Sequence, residues 1–228
     1  MAPPPGVITI PGLAPPELIH GFSTREQGSM SGARAQANFA ALMGLSEGRV
    51  ASAVAVHGAD VAVVTEPGSI PHVDALVTVT PGLGLMILIA DCYAVVLLDP
   101  VRSALGLVHS GWRGAAQRVV EATLGVMGRE FGTLASDVVA GIGPGICGAC
   151  YEVGPEVARQ FDHAFVRPSE GGRWLLDLRA CITAQLLGSG VISPHIHAHH
   201  SCTKESVELP SHRRDGNGER FACLAAMR

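Results

Sequence analysis

Three residues able to ligate a metal stand far apart in the chain, each where an apolar run breaks. His57 lies in Val56-His57-Gly58 ahead of a strand-like run. Cys92 follows Asp91 where an apolar strand ends. His109 closes another such run in His109-Ser-Gly-Trp-Arg113-Gly114. A polar Asp-Cys pair that breaks a hydrophobic strand costs burial energy unless it is used. Two imidazoles and one thiol form a donor set for zinc or copper. The trio has no short ligand spacing, however, and a lone His at a strand end is commonly structural, so the residues alone leave both readings open. A Cys92 nucleophile paired with His109 is a third arrangement, that of a cysteine hydrolase.

Other groupings are less specific. In His195-Ile-His197-Ala-His199-His200-Ser-Cys202 the first three histidines would share one face of a strand. Such a face can bind zinc or copper, and it can equally be a solvated strand end. Cys147-Gly-Ala-Cys150 is a single C-x-x-C, whereas zinc ribbons need two, so these thiols read as buried or incidental. Gly143-Pro-Gly145-Ile-Cys-Gly148 matches G-x-G-x-x-G after a strand, but no helix start follows, as a dinucleotide site requires. The chain contains no H-E-x-x-H, no G-x-S-x-G and no H-x-E followed by P-C-x-x-C.

Composition narrows the chemistry further. Of 16 basic residues only Lys204 is a lysine, so there is no Walker-type phosphate loop and an anion must be held by arginines. The net charge of −4 gives no basic field for nucleic acid. Charged residues are 16% and apolar residues 47% of the 228, which suits a folded core. The longest apolar run, Leu83 to Leu98, is interrupted by Asp91 and is too short for a membrane helix. The first basic residue is Arg25, so no signal peptide is expected. Six cysteines in that context read as reduced thiols or metal ligands of a cytoplasmic protein.

The elements that must position these residues form an α+β arrangement. Residues 1–16 hold six of the 15 prolines and read as an extended arm with a short strand at Val7–Ile10, ahead of one domain over 17–228. Strands are expected at Asp60–Thr65, Asp74–Val79, Leu85–Ala90, Ala94–Asp99, Ala104–His109, Val138–Ile142, Val191–His197 and Arg220–Met227. The unbroken hydrophobicity of the central four predicts burial on both faces. Helices are expected at Ala33–Gly44, Ala115–Phe131, Pro155–Phe161 and Leu178–Leu187, the last capped by Asp177.

Taken together, these residues resemble the bacterial multicopper polyphenol oxidase, or laccase-domain, family. That family is also described as peptidoglycan editing factors and as purine nucleoside phosphorylases with adenosine deaminase activity. The stretches that carry the resemblance run in order along nearly the whole chain. They are His20-Gly-Phe-Ser-Thr-Arg25, the Asn38 region, Val56-His57-Gly58, Asp74-Ala-Leu-Val-Thr, Ala90-Asp91-Cys92, His109-Ser-Gly-Trp-Arg-Gly114, Gly143-Pro144, Tyr151-Glu-Val-Gly154, Asp177-Leu178, Cys202-Thr203, and Ser211-His-Arg-Arg-Asp215 with Arg220. The most specific block is Ala90-Asp-Cys followed seventeen residues on by the His109 motif. Departures include Ala55 where the family usually has Gln, Ala94 where a Pro is expected, and the late histidines.

The resemblance implies mixed sheets packed between helices, as in cytotoxic necrotizing factor-like folds. It also implies a zinc ion on His57, Cys92 and His109, with copper as the alternative metal. The activity it implies is phosphorolysis of adenosine, inosine, guanosine and methylthioadenosine, with deamination of adenosine. Copper-dependent polyphenol oxidation and a cysteine-type hydrolase that edits peptidoglycan precursors are the alternative activities. Asp91, Cys92 and His109 are then the catalytic candidates; Asp91 is either an acid/base or a carboxylate that supports the ligands. Arg25, Arg113, Arg213, Arg214 and Arg220 are the candidates for phosphate, with Arg25 and Arg113 favoured by the short glycine-containing turns beside them. The implied partners are a purine nucleoside and phosphate, with no nucleic acid and no membrane, in a monomer or small homo-oligomer.

Overall fold

Strands buried on both faces dominate the computed structural model, which describes residues 3–46 and 48–228. In chain order the elements are β1 (Leu18–Phe22), α1 (Ala33–Leu42), β2 (Val50–Val54), β3 (Val61–Val63), β4 (Gly68–Pro71), β5 (Ala75–Thr78), β6 (Gly84–Ile89), β7 (Tyr93–Asp99) and β8 (Ala104–Ser110). They continue with α2 (Trp112–Ala116), α3 (Val119–Phe131), β9 (Val139–Ile142), β10 (Glu152–Val153), α4 (Pro155–Ala158), β11 (Val166–Pro168), β12 (Trp174–Leu176), α5 (Leu178–Gly188), β13 (Ile196–Ala198), α6 (His212–Asp215) and β14 (Phe221–Met227). Two large mixed sheets have the orders β1-β14-β6-β2-β4 and β13-β9-β7-β8-β5-β3; a small antiparallel sheet is ordered β10-β12-β11.

Strand alternation explains why the central runs are apolar throughout. Leu85, Ile87 and Ile89 of β6 and Phe221, Cys223 and Ala225 of β14 meet Ala94, Val96 and Leu98 of β7 and Leu105 and Leu107 of β8 between the two sheets. The intervening residues Met86, Leu224 and Ala226 pack instead on Phe39 and Ala40 of α1. On the other side, Tyr93, Val95, Leu97 and Val108 pack under Val119, Val120 and Met127 of α3 and Ile182 and Leu186 of α5. The result is four layers, helix on sheet on sheet on helix, so both faces of the central strands meet apolar neighbours. Each large aliphatic side chain buried this way contributes about 1.5–3 kcal/mol.

The fold departs from the sequence expectation where tertiary contacts override local pattern. The helix expected over 115–131 is two helices, α2 and α3, separated by Arg118 at φ +63°. A left-handed non-glycine residue costs about 1 kcal/mol or more and persists only where the surroundings fix it. Here Gln185 of α5 donates to the Ala115 carbonyl at 2.7 Å, which holds the end of α2. The expected helix at 155–161 shrinks to α4, and the expected strand at 191–197 becomes a 3-10 turn followed by β13. Strands β1, β2 and β4, the small sheet and the short helix α6 have no counterpart among the elements expected from the sequence. Of these, β4 (GSIP) is mostly exposed at a sheet edge and lacks an apolar pattern.

The proline-rich arm is not a free extension. Val7, Ile10 and Leu13 are buried, and Ile8 bridges to Phe22; Met1 and Ala2 lie outside the described residues. No helix among the described residues is long and apolar enough to cross a membrane.

Candidate metal centre

The two sheets open at the carboxyl end of β8, and the three predicted ligands converge there. Cys92 occupies the short connection from β6 in one sheet to β7 in the other. His109 lies on β8, in register with Ala94 of β7, and its alternation with Leu105 and Leu107 turns it toward the space between the sheets. His57 is brought in by the loop that follows β2. One donor atom from each of His57, Cys92 and His109 lies within 4.8 Å of the other two. The two imidazoles are edge to face, with centroids 5.0 Å apart.

Two of the five non-glycine residues with positive φ among the described residues lie at this site. His57 and Asp91, the latter immediately before Cys92, both have positive φ, +62° and +80°. Such residues cluster where surrounding contacts over-determine the chain at a functional site. Gly111 is needed for space: a Cβ there would come within 2.9 Å of the Cys92 sulfur and 3.2 Å of the His57 ring.

Asp74, fully buried at the head of β5, holds the loop of His57 and the ring of His109 together. Its Oδ1 accepts from the His57 backbone N–H at 2.9 Å, and its Oδ2 accepts from Gly58 at 2.7 Å and Val56 at 3.1 Å. The same Oδ1 is 2.7 Å from Nδ1 of His109. A carboxylate only accepts, so Nδ1 carries the hydrogen and Nε2 is left to ligate. Sequence reading missed Asp74 as a site residue. The signal was present, since an acid opening an apolar strand poses the same burial cost that drew attention to Asp91.

The electrostatics suit ligation. Burial alone would push the Cys92 thiol up, but hydrogen bonds from His109 and His57 outweigh it and bring it down to about 6. Burial alone would lower His109, but its bonds to Asp74 and Cys92 raise it to about 9. Burial works to raise Asp74, yet the His109 and Gly58 hydrogen bonds hold it below the usual carboxylate range. The trio therefore carries a thiolate-like sulfur beside one imidazole oriented by a carboxylate and a second whose backbone the same carboxylate holds.

The trio opens into a cavity of about 980 Å³, near the upper end of typical ligand sites. Trp112, Arg113, Tyr151, His212, Arg213 and Arg220 line its polar part, and Ala37, Ala40, Val50, Met86 and Leu88 its apolar part. The Arg113 guanidinium lies 4.3 Å from the Trp112 ring, and that of Arg213 lies 5.4 Å from the Tyr151 ring. Arg213 also donates to the Glu152 carbonyl at 2.7 Å. Burial raises the Tyr151 phenol above its ordinary value, which already leaves it a hydrogen-bond donor at neutral pH.

Two of the five arginine candidates are engaged elsewhere. Arg25 forms ion pairs with Asp215 and Glu219 and does not line the cavity. Arg214 is spent on Asp215 and on the carbonyls of Thr203, Ser206 and Leu209. Asp91 has both oxygens occupied, Oδ1 by the Thr203 hydroxyl at 2.6 Å and Oδ2 by the Arg213 backbone N–H at 2.7 Å. His195, His197 and His199 do not form a chelating group with one another among the described residues.

Residues 20–228 match the family described as multi-copper polyphenol oxidoreductase laccase. A purine nucleoside phosphorylase of Streptomyces coelicolor is 40% identical over 189 residues, covering 79% of this chain and 76% of that protein. Adenosine deaminase RL5, from an unknown prokaryotic organism, is 34% identical over 159 residues, covering 66% of this chain and 60% of its own length. The crystal structure of the hypothetical protein YfiH from Bacillus licheniformis shares the fold at a TM-score of 0.89, covering 100% of this chain and 97% of that one at 23% identity.

Proposed function

From the premise that this chain belongs to the multi-copper polyphenol oxidoreductase laccase family, we propose that it is a zinc-dependent purine nucleoside phosphorylase that also deaminates adenosine. The observation that carries this reading is the convergence of His57, Cys92 and His109 at a large cavity lined by Arg113, Arg213 and Arg220. The activity is supported by relatives named purine nucleoside phosphorylase and adenosine deaminase.

The donor set fits zinc: two imidazoles, one of them fixed by Asp74, and one sulfur with a lowered pKa. A zinc ion held there supplies Lewis-acid activation of a substrate oxygen or of a water. The remaining work falls to the chain itself. In phosphorolysis a phosphate oxygen bonds to the ribose anomeric carbon, the bond from that carbon to the purine nitrogen breaks, and the base leaves with a proton. Arg113, Arg213 and Arg220 hold the phosphate through charge-assisted hydrogen bonds. The Tyr151 hydroxyl, protonated at neutral pH and raised further by burial, donates a hydrogen bond within the cavity. Trp112 and the apolar wall of the cavity receive the purine and ribose faces.

Asp91 acts here as a positioning residue. Its two oxygens already accept from Thr203 and Arg213, and its strained backbone sets the direction of Cys92. Arg25 stabilises the loop that carries α6 rather than the anion.

Untagged protein loaded separately with zinc and with copper tests this reading. Inosine plus phosphate should yield hypoxanthine and ribose-1-phosphate, and adenosine should yield inosine, with the zinc form. Turnover confined to phenols under oxygen with the copper form, and none on nucleosides with either, would overturn it.

A further inference from the structure

A second cluster of donors lies outside the cavity lining. Cys147, Cys150, Cys202 and Glu205 each place one ligand atom within 4.8 Å of the others. They come as two pairs at the same spacing, Cys147-x-x-Cys150 and Cys202-x-x-Glu205, each on its own tight turn. In the first turn the Cys150 N–H donates to the Cys147 carbonyl at 2.9 Å. In the second, the Glu205 and Ser206 N–H groups donate to the Cys202 carbonyl at 3.1 and 2.8 Å. The turns are joined by a bridge between Gly145 and Cys202 and by a Thr203 N–H bond to the Gly145 carbonyl at 3.1 Å. The sequence shows only one C-x-x-C; the fold supplies its missing counterpart from 55 residues away.

We propose that Cys147, Cys150, Cys202 and Glu205 form a structural zinc site that clamps the 145–151 loop to the 202–206 loop. Three sulfurs and a carboxylate, all zinc ligand types, come from two i,i+3 turns and supply the four ligands of a closed site, with Glu205 in the place a fourth Cys or a His more often takes. The Cys147 backbone N–H already points at the Cys202 sulfur at 3.2 Å, the kind of amide contact that stabilises a ligating thiolate. The Cys150 thiol is 3.4 Å from a Glu205 oxygen, so both flank the same gap. Cys147 and Cys150 are partly exposed, so of their reading as buried or incidental thiols the fully buried alternative does not hold, and an ion has access. Binding displaces the thiol protons to solvent, with no change of oxidation state.

The clamp would bear on the catalytic cavity without lining it through its ligands. Ile146, beside Cys147, donates its N–H to the Asp91 carbonyl and accepts the Tyr93 hydroxyl at its own carbonyl, both at 2.9 Å. Tyr151 follows Cys150 and lines the cavity, and Thr203 follows Cys202 and holds Asp91. Joining the two loops therefore fixes the segments on either side of Asp91.

The test is metal stoichiometry in the full chain, equilibrated with Zn²⁺ under reducing conditions and desalted. The wild type should retain two zinc per chain, Cys92→Ser one, Cys150→Ser one, and the double variant none. With Co²⁺ as the probe, Cys150→Ser should remove the stronger thiolate-to-metal absorption, whereas Cys92→Ser should spare it. In Cys92→Ser protein, zinc should slow amide exchange over residues 146–151. Should Cys150→Ser fail to fold, the exposed Glu205→Gln change decides: it should weaken Co²⁺ binding in the Cys92→Ser background. A single zinc in the wild type that disappears entirely with Cys92→Ser would overturn the proposal.

Discussion

Nδ1 of His109 is 2.7 Å from Oδ1 of Asp74, the same oxygen that accepts the His57 backbone N–H. One buried carboxylate thus orients a ring on β8 and the loop that brings in the other histidine. Partners of this kind typically account for 10–100-fold in metal affinity. Asp74→Asn should weaken zinc binding by roughly 10–100-fold, read by chelator competition, with a loss of thermal stability because the replacement cannot accept all four hydrogen bonds. Unchanged zinc affinity would remove Asp74 from the support of the site.

Arg113 and Arg25 should separate cleanly. Arg113 is exposed at the cavity wall and stacked on Trp112. Arg113→Ala should raise the KM for phosphate about tenfold or more, the equivalent of one lost charge-assisted contact of about 1.5–3 kcal/mol. Arg25 is partly exposed and bound to Asp215 and Glu219. Arg25→Ala should leave the phosphate KM within twofold and cost about 0–1 kcal/mol of stability. Steady-state kinetics against phosphate decide the matter; a larger phosphate effect for Arg25 would reverse the assignment.

The central strands and the metal trio were legible in the sequence for the same reason. Burial on both faces writes itself as unbroken apolar runs, and the polar residues that end those runs, Cys92 and His109, stand out against them. His57 stood out less sharply, as a polar break between two apolar runs, and the motif it shares with the resembling family strengthened the reading. What stayed hidden depends on contacts distant in sequence. Nothing local shows that Cys202 and Glu205 face Cys147 and Cys150, that Asp215 and Glu219 take up Arg25, or that α5 reaches Ala115 and fixes the left-handed break at Arg118. Short edge elements such as β4 leave no pattern, since exposed strand residues need not be apolar.

Acid should loosen the N-terminal arm through His20. Its Nε2 accepts the Ile10 N–H at 2.9 Å, so the ring is neutral, and burial lowers its pKa to about 4. The unfolded ring titrates near 6.5. Between those values the unfolded chain binds the extra proton, so stability is fully present above about pH 6.5 and falls as pH drops toward 4. The loss attributable to this ring is roughly 2.5 kcal/mol at pH 4.5. Denaturant midpoints at pH 7 and pH 4.5 should differ more for the wild type than for His20→Gln, whose side chain stays neutral. Parallel losses in the two proteins would exclude His20 as the source.

Asp91 and Thr203 offer the sharpest distinction between a proton-transfer role and a positioning role. The Thr203 hydroxyl is buried and donates to Asp91 at 2.6 Å, while the Arg213 N–H takes the other oxygen. If Asp91 only holds the Cys92 turn and α6 in place, Thr203→Val should imitate a mild loss of Asp91. It should cost about 1–3 kcal/mol of stability by leaving an acceptor unsatisfied, with lower kcat and an unshifted pH profile. Asp91→Asn should then lower kcat further while keeping the same ionisation limbs, because no proton passes through the carboxylate. A general base would behave otherwise: Asp91→Asn would abolish the acidic limb of kcat/KM while Thr203→Val displaced it. pH–rate profiles of both variants on inosine and adenosine therefore decide the role, and a lost acidic limb in Asp91→Asn would return the residue to the chemistry.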